Sequence, residues 1–295
     1  MTRLHTVLAT TDLSAPARHA AQRAAMLASE TGARLELLHV LEKSALDELQ
    51  QVFIDQDAAL SERIREMARD ALSQLATDIG EPLGVTAGLH LDEGAVLEAI
   101  AAEADRLDAS LLVLGARGTD YMRQWLLGAT AERLLRKVRR PILAVKQPPR
   151  EHYRNVLVPV DFSPWSAGAV RLARAVAPQA ELTLMHTFEL PYEGKLRLAF
   201  VEEDVILGHR IKARKDAVAR LHQFASDAGL TGTAWRTAVI HGDTSLRVLE
   251  QEEELGADLI VLGKHGANMT EELLLGSVTK HVLAHARCDV LAAYR

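Results

Sequence analysis

Cysteine is nearly missing from this chain of 295 residues: Cys288 stands alone, so no disulfide can form within it. A reducing compartment is the simplest setting for such a composition, and the expected location is the cytoplasm. Aromatic residues are scarce at 4% against 48% hydrophobic residues overall, so the core must be built from aliphatic side chains. No apolar run approaches the roughly 18 residues needed to span a bilayer. The apolar stretch near the N-terminus is broken by His5, Thr10, Thr11 and Asp12, too early for a secretory signal. Neither membrane insertion nor secretion is expected. A strong excess of one charge is lacking too, since 34 Lys and Arg against 40 Asp and Glu leave a net −6. Such a chain gains nothing overall from a phosphate backbone, and nucleic acid is not an expected partner.

What the chain does contain is itself, twice. HTVLATTDLSAPARHAAQRAAMLA, from His5 to Ala28, is echoed by RNVLVPVDFSPWSAGAVRLARAVA, from Arg154 to Ala177. LELLHV, ending at Val40, is echoed by LTLMHT, ending at Thr187, and LLVLGARG by LIVLGKHG. Gly115 maps to Gly263 and Gly128 to Gly276, each 148 residues on. A period this long marks a duplicated domain, not a solenoid unit of about 20–50 residues. The junction is placed at Gln147-Pro148-Pro149-Arg150, where two prolines withdraw amide donors, giving domains 1–147 and 152–295.

Within each half, short β-rich apolar runs alternate with segments of helical spacing, the pattern of βαβ units around a parallel sheet. The expected strands are Thr6–Thr10, Leu35–Val40, Val85–His90, Leu111–Gly115 and Ile142–Lys146, then Val156–Val160, Leu182–His186, Ala234–Ile240, Leu259–Gly263 and Val290–Tyr294. Leu60, Ile64, Met67, Ala71, Leu72 and Leu75 recur at three- and four-residue steps and predict one helix face against the first sheet.

Ligands of open parallel sheets collect beyond the carboxyl ends of the strands. Asp161 follows VLVPV and offers a carboxylate acceptor there. Gly263 and Gly266 follow LIVL, where glycine permits positive φ and close approach of backbone amides. Gly276-Ser277-Val278-Thr279 then opens a helical run, and free amides at a helix start, with the Ser277 and Thr279 hydroxyls, suit a phosphate.

The GxxG element, nine residues and GS, with an aspartate closing the first strand, resemble the nucleotide-binding class of the universal stress protein family, along nearly the whole of both halves. The resemblance implies two tandem α/β domains, each a doubly wound five-stranded parallel sheet in the order 3-2-1-4-5, of the adenine nucleotide alpha hydrolase-like, Rossmann-like kind. It also implies ATP, or AMP or ADP, at the carboxyl ends of the strands, with Mg accompanying ATP. Asp161 and the backbone of Thr187 would face the adenine, Gly263 would approach the ribose, Gly266, Gly276, Ser277, Val278 and Thr279 would lie at the phosphates, and Leu262 counts among the binding residues. The first half keeps Gly115, Gly118 and Gly128, with Asp12 and Val40 at the adenine positions, but reads Ala129-Thr130-Ala131 where the hydroxyls should stand. A weaker, altered or empty first site is expected, and Gly115, Gly118 and Gly128 there can equally be mere turn residues.

Other groupings receive plainer readings. His281, His285 and Cys288 have a spacing that zinc could use, but no fourth ligand is near in sequence, and no metal is expected. Lys264 and His265 read either as phosphate contacts or as a solvated loop pair; His39 and His186, at strand ends, read as structural. Arg133, Arg136, Lys137, Arg139 and Arg140 complement a helix dipole, and no aromatic is interleaved with them for base stacking. Glu252–Glu254 read as a solvated helix face.

The chain has no Walker lysine motif, no GxGxxG, no GxSxG and no HExxH, and its Asp161-Phe162-Ser163-Pro164-Trp165-Ser166 loop lacks the SGGxDS-like signature of ATP pyrophosphatases. A dedicated enzyme is not expected, although slow ATP hydrolysis stays open. The expected function is a nucleotide-responsive stress or regulatory factor. The alternative is a scaffold or interaction protein of the same fold with vestigial sites. The resemblance further implies that the two halves form an intrachain pseudo-dimer through their last strands; a homodimer and an unidentified protein partner stay open.

Overall fold

The computed structural model describes residues 3–42, 57–116, 128–230, 235–264 and 275–294. The chain divides into two compact units, Met1–His152 with Asp289–Leu291, and Tyr153–Cys288 with Ala292–Arg295. The first contains β1 (Thr6–Thr11), α1 (Ala15–Thr31), β2 (Arg34–Glu42), α2 (Asp57–Gly80), β3 (Ala87–Gly94), α3 (Val96–Arg106), β4 (Leu111–Gly115), α4 (Ala129–Lys137) and β5 (Ile142–Val145). These strands run in the order β3-β2-β1-β4-β5 and pair in parallel. Val7, Leu8 and Ala9 of β1 and Leu111, Leu112 and Val113 of β4 are fully buried, as central strands covered on both faces require. Ala17, Ala20, Ala21, Ala24 and Ala25 form the buried side of α1, so the helix can lie close to the sheet. Ser14 caps its start and Gly32, at φ 70°, ends it.

Two sequence expectations shift here. The third strand occupies Ala87–Gly94 instead of Val85–His90. A 3-10 turn at Glu81–Leu83 and Gly84 at φ 64° keep the chain turning, with the Val85 N–H bonded to the Gly80 carbonyl. The strand then runs on because β2 extends to Glu42, which registers with Gly94. In α2 the buried side is Ser61, Ala68, Leu72, Leu75 and Ile79, while Ala71 and Met67, 70% exposed, lie on the outer face.

The second half of the chain contains β6 (Asn155–Pro159), α5 (Pro164–Val176), β7 (Glu181–Phe188), α6 (Glu193–Leu198), α7 (Glu203–Asp227), β8 (Trp235–His241), α8 (Thr244–Leu255), β9 (Leu259–Gly263), α9 (Ser277–His285) and β10 (Asp289–Ala293). Its order is β8-β7-β6-β9-β10, the arrangement of the first unit repeated. Ala234, expected to begin the third strand, lies outside the described residues. Glu252 departs from the solvated-face reading: it is buried, and its Oε1 accepts the N–H groups of Arg287 and Cys288 at 2.7 and 2.6 Å. A carboxylate that satisfies two amides at once fixes the turn into β10. The basic run of the first unit is largely neutralised, with Arg136 on Glu132, Lys137 on Glu98, and Arg140 on Asp105 and Asp108.

Candidate functional site

The site grows from the carboxyl end of β6. Beyond Pro159 the Val160 N–H still reaches the Met185 carbonyl at 2.7 Å, and Asp161 follows, exposed. Phe162 then adopts φ 62°, a left-handed conformation that costs a non-glycine residue about 1–2 kcal/mol. Leu13 does the same at φ 64° in the first half, so both units carry this kink at the same step. The kink delivers Ser163 as N-cap of α5, as it delivers Ser14 to α1. Asp161 is held in place: its Oδ1 accepts the Ser163 N–H at 2.9 Å and the Ser166 hydroxyl at 2.6 Å. Asp12 keeps only the first of these bonds, from the Ser14 N–H at 3.0 Å, because Ala17 stands where Ser166 does.

The Phe162 ring packs 4.3 Å from His186 and 5.8 Å from Phe224, and the Arg220 guanidinium lies 4.1 Å above it. His186 donates from Nδ1 to the Val160 carbonyl at 2.8 Å, and His39 makes the equivalent bond to Thr11 at 2.7 Å. Both are structural, tying the second strand of each sheet to the end of the first. Burial pushes the His186 pKa down, the Val160 bond opposes this, Arg220 lowers it further and Asp161 raises it. Thr187, in β7, registers with Ile240, and its hydroxyl meets that of Thr244 at 2.6 Å. Val40 holds the matching place opposite Asp92.

At the end of β9, Leu262 is buried and Gly263 is half-buried. Neither Gly263 nor Gly115 takes a positive φ. Close approach is the reason for glycine at Gly115, where a Cβ would stand 3.2 Å from the Pro16 carbonyl oxygen. Lys264 is 3% exposed, with its ammonium 5.5 Å from the centre of the Tyr294 ring, so it is no solvated loop residue; Ala116 takes its place in the first half. Gly118, His265 and Gly266 lie outside the described residues.

Gly276 and Gly128 cap α9 and α4 with nearly identical backbones, φ −58° and ψ 148° against φ −58° and ψ 145°. Neither start has a side-chain cap, whereas Ser163 and Asp243 cap α5 and α8. The Gly276 N–H is spent on the Lys264 carbonyl at 3.1 Å and the Gly128 N–H on that of Ala116 at 2.9 Å. The amides of Ser277, Val278 and Thr279 are the ones that open α9, with the Ser277 side chain exposed. The Thr279 hydroxyl, expected as a phosphate donor, instead gives its proton to the Gly263 carbonyl at 2.9 Å. It ties the helix start to the strand end, a tie that Ala131 cannot make in the first half.

Asp161, Thr187, Gly263, Gly276, Ser277, Val278 and Thr279 thus all stand at strand ends or at the helix start that follows one. Chemically this end of the sheet offers a fixed carboxylate, an aromatic and cationic cluster, and a helix start with uncapped amides. Sequence reasoning missed Phe162 with Arg220, and Thr244. Arg220 lies late in a helix whose spacing carries no mark of this contact. Thr244 could have been found, since Gly242-Asp243 after a strand signals a capped helix start. Among the described residues, no three His, Cys, Asp or Glu side chains gather as a metal site. No described helix is long and apolar enough to cross a membrane.

Known proteins share both the sequence and the fold. The chain is 28% identical to universal stress protein YxiE of Bacillus subtilis over 144 residues, 47% of this chain and 97% of that protein. It is 31% identical to universal stress protein A homolog 1 of Coxiella burnetii over 150 residues, 48% of this chain and 97% of that one. A crystal structure of a universal stress protein from Archaeoglobus fulgidus matches with a TM-score of 0.71 at 22% identity, covering 98% of each chain. That of a putative universal stress protein from Pseudomonas aeruginosa matches at 0.66 and 18% identity, over 98% of this chain and 93% of that one. The family profile itself matches twice, at residues 3–146 and 152–293, and the chain belongs to the universal stress protein family, with two tandem domains.

Proposed function

We propose that the second domain binds an adenine nucleotide, ATP or its di- or monophosphate, and that the protein is a nucleotide-responsive regulatory factor of the cytoplasm. The observation that carries this reading is the place of the α9 start: it follows β9, at the same end of the sheet as Asp161. Helix α9 begins at Gly276 with no side-chain cap among the described residues, and its first residue is Ser277, whose side chain is exposed. The positive end of the α9 dipole therefore faces the carboxyl ends of the strands with donors for an anion. Asp161, fixed by Ser163 and Ser166, supplies an acceptor suited to a purine amino group. In this reading the Ser277 hydroxyl adds a direct phosphate contact, and Mg enters with the triphosphate. The pseudo-dimer of the two domains and an unidentified protein partner belong to the same proposal. A nucleotide switches such a surface only by binding one conformation better than another.

Ser277→Pro tests the site cleanly. Proline is well accepted at the first helical position, and the extended backbone of Gly276 suits the residue before a proline. The variant removes one amide and one hydroxyl and leaves the helix. Titration calorimetry of the full chain with ATP, ADP and AMP, with and without Mg, should show binding that weakens by about tenfold or more in Ser277→Pro. Equal affinity in the variant, or a wild type that binds none of the three at millimolar concentration, overturns the assignment.

A further inference from the structure

Helix α7 has a conventional inner side, with Ile206, Ala217, Leu221 and Ala225 buried. Its outer side is unusual. Val205, Leu207 and Ile211 are 47, 49 and 62% exposed, and just before the helix Leu198 and Phe200 are 80 and 94% exposed. Ion pairs of Arg197 with Glu203, and of Arg210 with Glu193, fasten α6 to α7. Exposed apolar residues gathered on one helix face mark an interaction site more often than isolated ones do.

The order of residues along the outer side says what fits. Gly208 is exposed, and beyond its own turn of helix backbone nothing described lies within 4 Å of the place a Cβ would take. Three residues to either side stand Val205 and Ile211, and four to either side Asp204 and Lys212, all exposed and all on one helical stripe with Gly208. Asp204 and Lys212 are about 12 Å apart along the axis at 1.5 Å per residue, too far to pair with each other. Neither has an ion-pair partner among the described residues, although Glu203 and Arg210 nearby both do. An antiparallel copy of the same helix, related by a two-fold axis through Gly208, would set Asp204 against Lys212 of the copy and Val205 against its Ile211, twice over. Self-complementarity of this kind is what a two-fold interface requires. A glycine at the crossing point lets two helices approach to the short end of the usual 8–10 Å.

We infer that the occupant of this face is a second copy of the chain, joined through α7 packed antiparallel on α7 about Gly208. The assembly rests on this helix alone and is independent of nucleotide binding. Sedimentation equilibrium over a range of protein concentrations tests it. The wild type should show twice the chain mass of 32.3 kDa. Asp204→Lys or Lys212→Asp alone should raise the dimer dissociation constant by about tenfold or more, since each places two like-charged contacts across the axis. The double variant Asp204→Lys with Lys212→Asp should bring it back to within about threefold of the wild type. Gly208→Gln, which leaves the helix intact and obstructs the crossing, should be monomeric. A wild type that is monomeric throughout, single reversals without effect, or a double reversal as weak as the singles each overturn the inference. All three charge variants alter exposed side chains only, so far-ultraviolet dichroism should match the wild type and exclude misfolding as a cause.

Discussion

His186 shows how one side chain serves both packing and the candidate site. Its Nδ1 proton fastens β7 to the end of β6, and its ring supports Phe162. Burial disfavours the charged imidazole in the folded protein, whereas the unfolded chain binds a proton near the ordinary value of about 6.5. At this site the unfolded state therefore holds more protons as pH falls, and the His186 contribution to stability drops from about pH 6.5 downward through the depressed folded value. Urea midpoints measured between about pH 8 and 5 should fall more steeply in the wild type than in His186→Asn, whose amide can still donate to the Val160 carbonyl. Parallel curves would refute this account. The structural role of His186 could be read from its place at a strand end. Its partners could not, since Phe162 turns toward it only through a left-handed kink that no pattern of polarity announces.

Elements were the most legible level because two periodicities, alternation and the helical stripe, are written directly by burial. Strand ends were less so: β3 moves by several residues because β2 outruns its apolar core and carries its neighbour with it. Helix starts divide into two chemical kinds, and they should respond differently to mutation. Ser163 accepts the Ser166 N–H at 3.3 Å as cap of α5, so Ser163→Ala should cost about 1 kcal/mol in equilibrium denaturation. Ser277→Pro at the start of α9 should leave stability within about 0.5 kcal/mol, because it breaks no side-chain cap bond among the described residues. If the two variants lose stability equally, α9 is held at its first position by the protein itself and the anion site loses its basis. The Thr279 hydroxyl was misread in the sequence for a related reason. A threonine three positions into a helix can face outward to a ligand or backward to the preceding strand, and only tertiary structure decides that it bonds Gly263.

At the scale of the molecule, duplication was plain in the sequence because the same landmarks recur about 148 residues apart, and the sheet order implied by the family resemblance holds in both halves. Ligand linkage is the expectation at this scale. Nucleotide at about one hundred times its dissociation constant should stabilise the protein by roughly 2.7 kcal/mol, read as a rise in the calorimetric transition. One equivalent per chain should suffice, because Ala129 replaces the Ser277 hydroxyl and Ala131 the Thr279 hydroxyl that ties the helix start to the strand end. Two equivalents of equal affinity would show that those hydroxyls are dispensable. The near-identity of the Gly128 and Gly276 backbones then has a practical use. The polypeptide carries its own reference copy, a matched bend with altered chemistry, so a spectroscopic label or exchange measurement on one helix start can be read against the other in the same sample.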